Sequence, residues 1–140
     1  MHAKRQTTNP KRRFATGVAE ADIAFLANLV SYTGNPEHKR NPGDFGLQPP
    51  LGPRPHKTLC DDANIHDRKT ALDLLRAGVC RGLVSEQSRG EFPQNVWAVT
   101  PDGVALEAQL DNREKGSYHG YPMMQDDGFR EKVLAKWHAT

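Results

Sequence analysis

The chain has 140 residues, of which 36% are hydrophobic and 26% are charged, and this predicts a single domain with one core. No apolar run approaches the roughly 20 residues that span a bilayer, so we expect no membrane span. The basic start has no apolar segment behind it and is not expected to be a secretory signal. Two cysteines cannot build a disulfide framework, which favours a cytoplasmic protein.

The formal net charge of +2 is unevenly distributed. Residues 1–13 hold five basic side chains and no acidic one, whereas the remainder carries a net charge of −3. Mobile cations can follow phosphates without a fixed pose, so this asymmetry favours a nucleic-acid partner, although a solvated tail is the alternative. We predict a basic flexible arm over 1–15, with Arg12 and Arg13 as nucleic-acid contacts, and one α+β domain over 16–140.

The first predicted element is an amphipathic helix over 19–32, in which Ile23 and Leu26 belong to an apolar stripe at helical spacing. Gly34 is predicted to end this helix, because helix ends favour the left-handed conformation. The next segment, 34–57, is rich in proline and glycine. This composition excludes a long regular element and predicts a linker or a functional loop.

A second helix is predicted over 67–81, after one or two helical turns within 58–65. Asp67 can cap its first turn, and Gly82 is predicted to end it. The polar segment 87–94 contains glycine and proline and is predicted to be a loop.

The clearest strand pattern predicts a hairpin over 96–110. The first strand is β-branched and aromatic, residues 101–103 have turn chemistry, and apolar and polar residues alternate over 104–110. This alternation predicts that one face of the hairpin, carrying Glu107 and Gln109, is exposed to solvent.

A third strand is predicted over 117–123, and Phe129, Val133 and Trp137 indicate a C-terminal amphipathic helix. The order of elements predicts an α+β fold with N-terminal helices, a small antiparallel sheet built on the 96–110 hairpin, and the C-terminal helix.

One candidate site lies where the proline-rich loop begins. His38 is followed by Lys39 and Arg40, and like charge disfavours protonation of the imidazole, which keeps it available as a base. The two cations can hold a phosphate, as can Arg54 and Lys57 further along the loop. The alternative is a solvated charged turn.

A second candidate site is the segment Tyr118-His119-Gly120-Tyr121. The imidazole can shuttle a proton, the glycine allows close backbone approach, and the tyrosines can stack on a base or donate to a phosphate. The alternative is that both tyrosines are ordinary strand-packing residues.

Together the two clusters predict metal-independent RNA cleavage. His119 and His38 form the acid–base pair, Lys39 and Tyr118 stabilise the phosphate, and Tyr121 stacks a base. No convincing pair of metal-binding carboxylates accompanies them.

Four further residues, His56, Cys60, His66 and Cys80, do not have the spacing of a common zinc site. We therefore expect no metal and no cofactor.

Three short segments, 34–39, 57–60 and 118–122, resemble segments of small bacterial proteins associated with toxin-like accessory genes. The layout of an N-terminal helix followed by a small antiparallel sheet over 20–123 is also similar to the barnase and RelE-type ribonuclease toxins. This resemblance implies metal-independent RNA cleavage by His, Lys, Arg or Tyr side chains.

Residues 57–110 resemble a winged helix instead. A short helix precedes the 67–81 helix, Gly82-Leu83-Val84 enters the first wing strand, and a Thr-Pro-Asp-Gly turn at 100–103 follows the second. The resemblance implies major-groove contacts from the second helix and one contact from the wing. These residues are Arg68, Lys69, Arg76 and, in the wing, Arg89.

Three functions therefore stay open. The first is a toxin-like endoribonuclease, and the second is a winged-helix-like module that binds nucleic acid or protein. The third is an accessory subunit whose proline-rich loop docks onto a partner. We expect RNA or DNA as the main partner, with an immunity protein or a larger complex as a protein partner, and no membrane.

Overall fold

The computed structural model describes residues 12–34, 46–47 and 59–140, with the backbone alone for residues 61 and 62. Its regular elements, in chain order, are α1 (Glu20–Leu29), β1 (Ser31–Tyr32), a 3-10 turn (Cys60–Ala63), α2 (Arg68–Cys80), β2 (Ser88–Arg89), β3 (Phe92–Pro93), β4 (Asn95–Val99), β5 (Ala105–Asn112), β6 (Ser117–Pro122) and α3 (Arg130–Ala139). The predicted α+β class is confirmed. The loop predicted over 34–57 lies mostly outside the described residues.

The main sheet has four strands in the order β1-β6-β5-β4. The predicted hairpin pairs β4 with β5, and β6 returns beside β5 as the predicted third strand. The sheet is mixed rather than purely antiparallel, because β1 pairs in parallel with β6. The helix predicted over 19–32 therefore ends early: Val30 is already extended, and Tyr32 is buried as a strand residue.

Helix α2 packs against one face of the sheet and agrees with its prediction. Asp67 accepts a hydrogen bond from the Thr70 amide at 2.7 Å, and Gly82 has the positive φ of 78° that follows a helix end. The helix approaches β4 closely at Gly78, where a Cβ atom would lie 2.2 Å from the Trp97 carbonyl oxygen.

The opposite face of the sheet is also covered, which corrects the prediction of a solvent-exposed face. Helix α3 and the N-terminal segment pack over it, and Phe14 and Phe129 each lie 5.1 Å from the Trp97 ring. Glu107, predicted to be in water, is only 2% exposed. The residues that cover this face lie far away in sequence, so the local alternation could not reveal them.

Two further predictions need correction. The segment 87–94 contains the short hairpin β2–β3, whose connection includes Gly90 at a positive φ of 61°. The end of the predicted 1–15 arm packs onto the body, because Ala15 donates a backbone hydrogen bond to Val84 at 2.9 Å and Phe14 bridges to Ser85. Within the described part of the chain, no helix has the length and apolar character needed to cross a membrane.

Candidate functional site

Two polar rows cross the sheet on the face that α3 partly covers. Strand residues two apart point to the same face, and paired residues on neighbouring strands lie side by side. The observed register therefore builds a first row from Trp97, Glu107 and Tyr121 and a second row from Asn95, Gln109 and His119.

Glu107 is the buried centre of the first row. Trp97 donates its indole N–H to Oε2 at 3.0 Å, and the Tyr121 hydroxyl donates to Oε1 at 2.8 Å. Asn95 adds a longer contact of 3.4 Å from Nδ2, and its own buried Oδ1 atom has no hydrogen-bond partner among the described residues. The carboxylate thus receives the several donors that a buried charge requires.

Arg12 completes this arrangement from the N-terminal segment. Its guanidinium donates to both Glu107 oxygens at 3.1 Å and to both Asp127 oxygens at 2.7 Å. Burial lowers the pKa of Arg12, but the hydrogen bonds and charges of Asp127 and Glu107 outweigh that effect and raise the pKa above its usual value. The predicted nucleic-acid contact at Arg12 is corrected, because this side chain is committed to two carboxylates.

In the second row, His119 pairs with Asp111. Its Nδ1 atom lies 2.6 Å from Asp111 Oδ1, and the His119 side chain is 16% exposed. The ring centroid of Tyr121 lies 6.1 Å from that of His119. A carboxylate at Nδ1 orients the ring and favours the tautomer whose basic lone pair is on Nε2.

Tyr118 does not belong to this surface, which corrects its predicted catalytic role. It is adjacent to His119 in β6, so its side chain points to the other face of the sheet. There it is fully buried, burial raises its pKa, and its hydroxyl donates to the Pro93 carbonyl oxygen at 2.6 Å.

Tyr121 is half-buried beside His119. Its hydroxyl accepts a hydrogen bond from Gln109 Nε2 at 2.7 Å and donates to Glu107. Burial, followed by the charge and hydrogen bond of Glu107, raises the pKa of Tyr121. The hydroxyl is therefore held protonated, while the ring stays partly accessible for the predicted stacking on a base.

The other predicted cationic contacts have different surroundings. Arg13 is half exposed, with Nε 3.9 Å from Glu86 Oε2. Arg68 is exposed at the start of α2, and Arg76 is half-buried. The predicted residues His38, Lys39, Arg40, Arg54 and Lys57 lie outside the described residues.

Lys69, predicted as a major-groove contact, is exposed and forms an i,i+4 ion pair with Asp73 at 2.9 Å. Any phosphate at Lys69 would therefore compete with a neighbouring carboxylate.

Two features of the site were not predicted from the sequence: the contact of Asp111 with His119 and the burial of Glu107. Asp111 could have been found, because a hairpin with a turn at 111–116 places it near His119 on the same face. The burial of Glu107 could not have been predicted in this way, because its partner Arg12 lies 95 residues away in the sequence. The same turn carries Arg113 and Lys115, both exposed. The described residues hold no group of three or more His, Cys, Asp or Glu side chains suited to a metal ion.

The Arg12–Glu107 pair makes a measurable contribution to stability. Removing one partner of a fully buried ion pair costs about 3–5 kcal/mol, and because Arg12 keeps some solvent contact we expect Arg12→Met to cost about 2–3 kcal/mol. Urea denaturation measures this loss. The double variant Arg12→Met/Glu107→Gln should be less destabilised than the sum of the single variants, since it leaves no uncompensated charge at position 107 and the loss of the Asp127 contact is counted only once.

Arg130→Met is the matched control for this measurement. Arg130 pairs at 3.2 Å with Glu131, whose side chain is 78% exposed, so its loss should change stability by no more than about 0.5 kcal/mol. Equal losses in the two single variants, or strict additivity in the double variant, would contradict the role assigned to Arg12.

A second expectation concerns alkaline pH. All three tyrosines of the chain, Tyr32, Tyr118 and Tyr121, have pKa values raised first by burial. Their contribution to the free energy of unfolding is complete below the unfolded-state pKa of about 10 and declines as the pH rises above it. Ultraviolet absorbance should detect tyrosinate only together with loss of structure. Titration of any tyrosine near pH 10 in the folded protein would contradict this.

Comparisons with protein-family models, with curated proteins and with solved structures find no match to this chain. What the site can do is therefore inferred from its own geometry and chemistry.

Proposed function

We propose that this protein acts on nucleic acid and cleaves RNA without a metal ion, with His119 as a general acid–base group. One observation carries this proposal: the 2.6 Å contact between His119 Nδ1 and Asp111 Oδ1 at a partly exposed position. A histidine oriented by a carboxylate is a recurring arrangement for proton transfer.

The proposed step moves one proton at each end of the reacting phosphate. His119 Nε2 accepts the proton of a ribose 2′-hydroxyl, and the 2′-oxygen forms a bond to phosphorus. The bond from phosphorus to the 5′-oxygen breaks, and that oxygen takes a proton from a second acid. The other member of the predicted acid–base pair is His38, which lies outside the described residues.

Two exposed cations in the turn after Asp111 support a phosphate ligand, and one exposed carboxylate, Glu114, lies between them in sequence. Arg113 and Lys115 lie in the turn that follows Asp111, and both side chains are exposed. Cations near a reacting phosphate stabilise the negative charge that develops in the transition state. Glu107 adds no competing negative charge there, because Arg12 and its neutral donors already compensate it.

Tyr121 supplies an aromatic surface next to His119. Stacking of a base on an aromatic ring is worth about 1–3 kcal/mol and tolerates any base. The hydrogen bonds of its hydroxyl fix the ring, so stacking would cost little additional ordering. With this function we also propose a cytoplasmic location and, as a protein partner, an immunity protein or a larger complex.

The test is cleavage of total RNA in the presence of a chelator. We expect His119→Gln to lower the cleavage rate by about 10²- to 10⁴-fold, the usual contribution of a general acid–base group. Asp111→Asn should lower it less and shift its pH dependence, because the amide still contacts the ring but provides no charge.

His138→Gln is the matched control, since His138 is exposed at the end of α3. It should cleave at the unaltered rate. Absence of chelator-resistant cleavage at micromolar protein, or equal activity of the His119→Gln variant, would overturn the catalytic proposal.

A second candidate function is nucleic-acid binding without catalysis, in the manner of a winged helix. A hairpin follows α2 directly: Val84 bridges to Val96, and β2 and β3 form its outer end. Arg89 lies in this outer end and donates to the Leu110 carbonyl oxygen at 2.6 Å. Arg68 and Lys69 are exposed at the start of α2, which gives this alternative two cations on the predicted recognition helix.

Salt dependence of binding distinguishes this candidate. If α2 contacts phosphates, duplex DNA binding should weaken with added salt, and Arg68→Ala/Lys69→Ala should reduce the logarithmic slope by about one for each lost contact. Arg130→Ala serves as the control on another helix. A slope that stays the same in the double variant would remove α2 as the binding surface.

A further inference from the structure

The first helix leaves an apolar surface uncovered. Phe25 is 65% exposed and Leu29 is 41% exposed, and Val18 just before the helix is also exposed. The helix instead faces the core through Ala27, which is buried. Large apolar side chains that share one exposed surface are unusual on a protein without a partner, and a polar rim around them is typical of a protein-binding site.

These side chains form one wall of a groove of about 380 Å³. The opposite wall comes from the segment after α2 and from the β2–β3 hairpin, including Val84 and Pro93. Asp22, Phe25 and Leu29 lie at i, i+3 and i+7, so they follow one line along the helix.

Among the described residues, the charged side chains that line this groove are all negative: Asp22, Glu86 and Glu91. One cation approaches the margin, since Arg13 Nε lies 3.9 Å from Glu86 Oε2. Helix α1 itself contains Glu20 and Asp22 but no basic residue. In the part of the chain that the structure describes, the groove therefore combines an apolar floor with three carboxylates, and one guanidinium lies at its margin.

This charge pattern selects among possible occupants. A second copy of the chain, facing this groove with its own, would bring like charges together, which costs free energy. Nucleic acid is disfavoured for the same reason. A helix with apolar anchors at i, i+4 and i+7 and with lysine or arginine on its flanks matches both the floor and the rim.

We propose that the groove between α1 and the β2–β3 hairpin is a docking site for a basic amphipathic helix of a partner protein. This inference does not depend on RNA cleavage, because none of the groove residues belongs to the His119 site.

The probe is a fluorescent, helix-forming synthetic peptide with leucines at i, i+4 and i+7 and flanking lysines. A matched peptide keeps the leucines and replaces every lysine with glutamate. We expect the fluorescence anisotropy of the peptide, titrated with the 140-residue protein, to show salt-sensitive binding of the basic peptide and at least tenfold weaker binding of the acidic one.

Two groove variants separate the apolar and the charged contributions. Phe25→Ser/Leu29→Ser should weaken binding of the basic peptide about tenfold or more, since the variant removes two large apolar side chains that the peptide would bury. Glu86→Lys/Glu91→Lys should weaken it and reduce its salt dependence. Met124→Ser, at an apolar position that is 53% exposed outside the groove, should leave binding unchanged.

Four results would overturn the proposal. The first three are absence of peptide binding, equal binding of the basic and the acidic peptide, and a loss of binding in Met124→Ser as large as that in the groove variants. The fourth is evidence that something other than a partner helix occupies the groove. Self-association of the wild type that Phe25→Ser/Leu29→Ser abolishes would identify a second copy. Tighter peptide binding by Lys4→Glu/Arg5→Glu would identify the chain's own basic N-terminal residues.

Discussion

Burial of the Glu107 carboxylate is the constraint on which the second face of the sheet depends. An ionised carboxylate removed from water costs several kcal/mol unless other groups replace its solvation. Here the replacement comes from both neighbouring strands, through Trp97 and Tyr121, and from Arg12 in the N-terminal segment. Arg12 also binds Asp127, whose Oδ1 accepts from the Phe129 amide at the start of α3. One buried charge thus connects the N-terminal segment, the sheet and the last helix.

The same network supports the exposed pair in the neighbouring row. Glu107 binds the Tyr121 hydroxyl, that hydroxyl binds Gln109, and Gln109 pairs with His119 across the sheet. In the first row, Glu107 is buried and hydrogen-bonded to its neighbours. In the second row, the side chains of His119 and Asp111 are partly exposed. A catalytic site needs reacting groups that solvent can reach and a support that preserves their orientation. The second row meets the first need in the proposed site, and the hydrogen-bonded first row meets the second.

The β2–β3 hairpin lies between the two surfaces for which we propose functions. Ser88, Glu91 and Pro93 line the acidic groove, and Arg89 from the same hairpin donates to the Leu110 carbonyl oxygen, next to Asp111. The electrostatic characters of the two surfaces differ. The turn after Asp111 exposes both cations and a carboxylate, whereas the described charged residues that line the groove are all carboxylates. This difference is the reason why we propose a different ligand for each surface.

Local sequence patterns determined the elements whose stability is local. The capped α2 helix, the β4–β5 hairpin and the α+β class follow from periodicity, turn residues and Asp67, which act within a few positions of one another. Strand alternation also implies that Tyr118 and His119 face opposite sides. Only tertiary structure decided the early end of α1 at a parallel strand, the burial of Glu107 and the pairing of Arg12 with residues 95 and 115 positions away. The reason is physical: a glutamate in an alternating strand has the same local pattern in water as in a core, and its environment depends on distant residues that supply the compensating charge and the apolar cover.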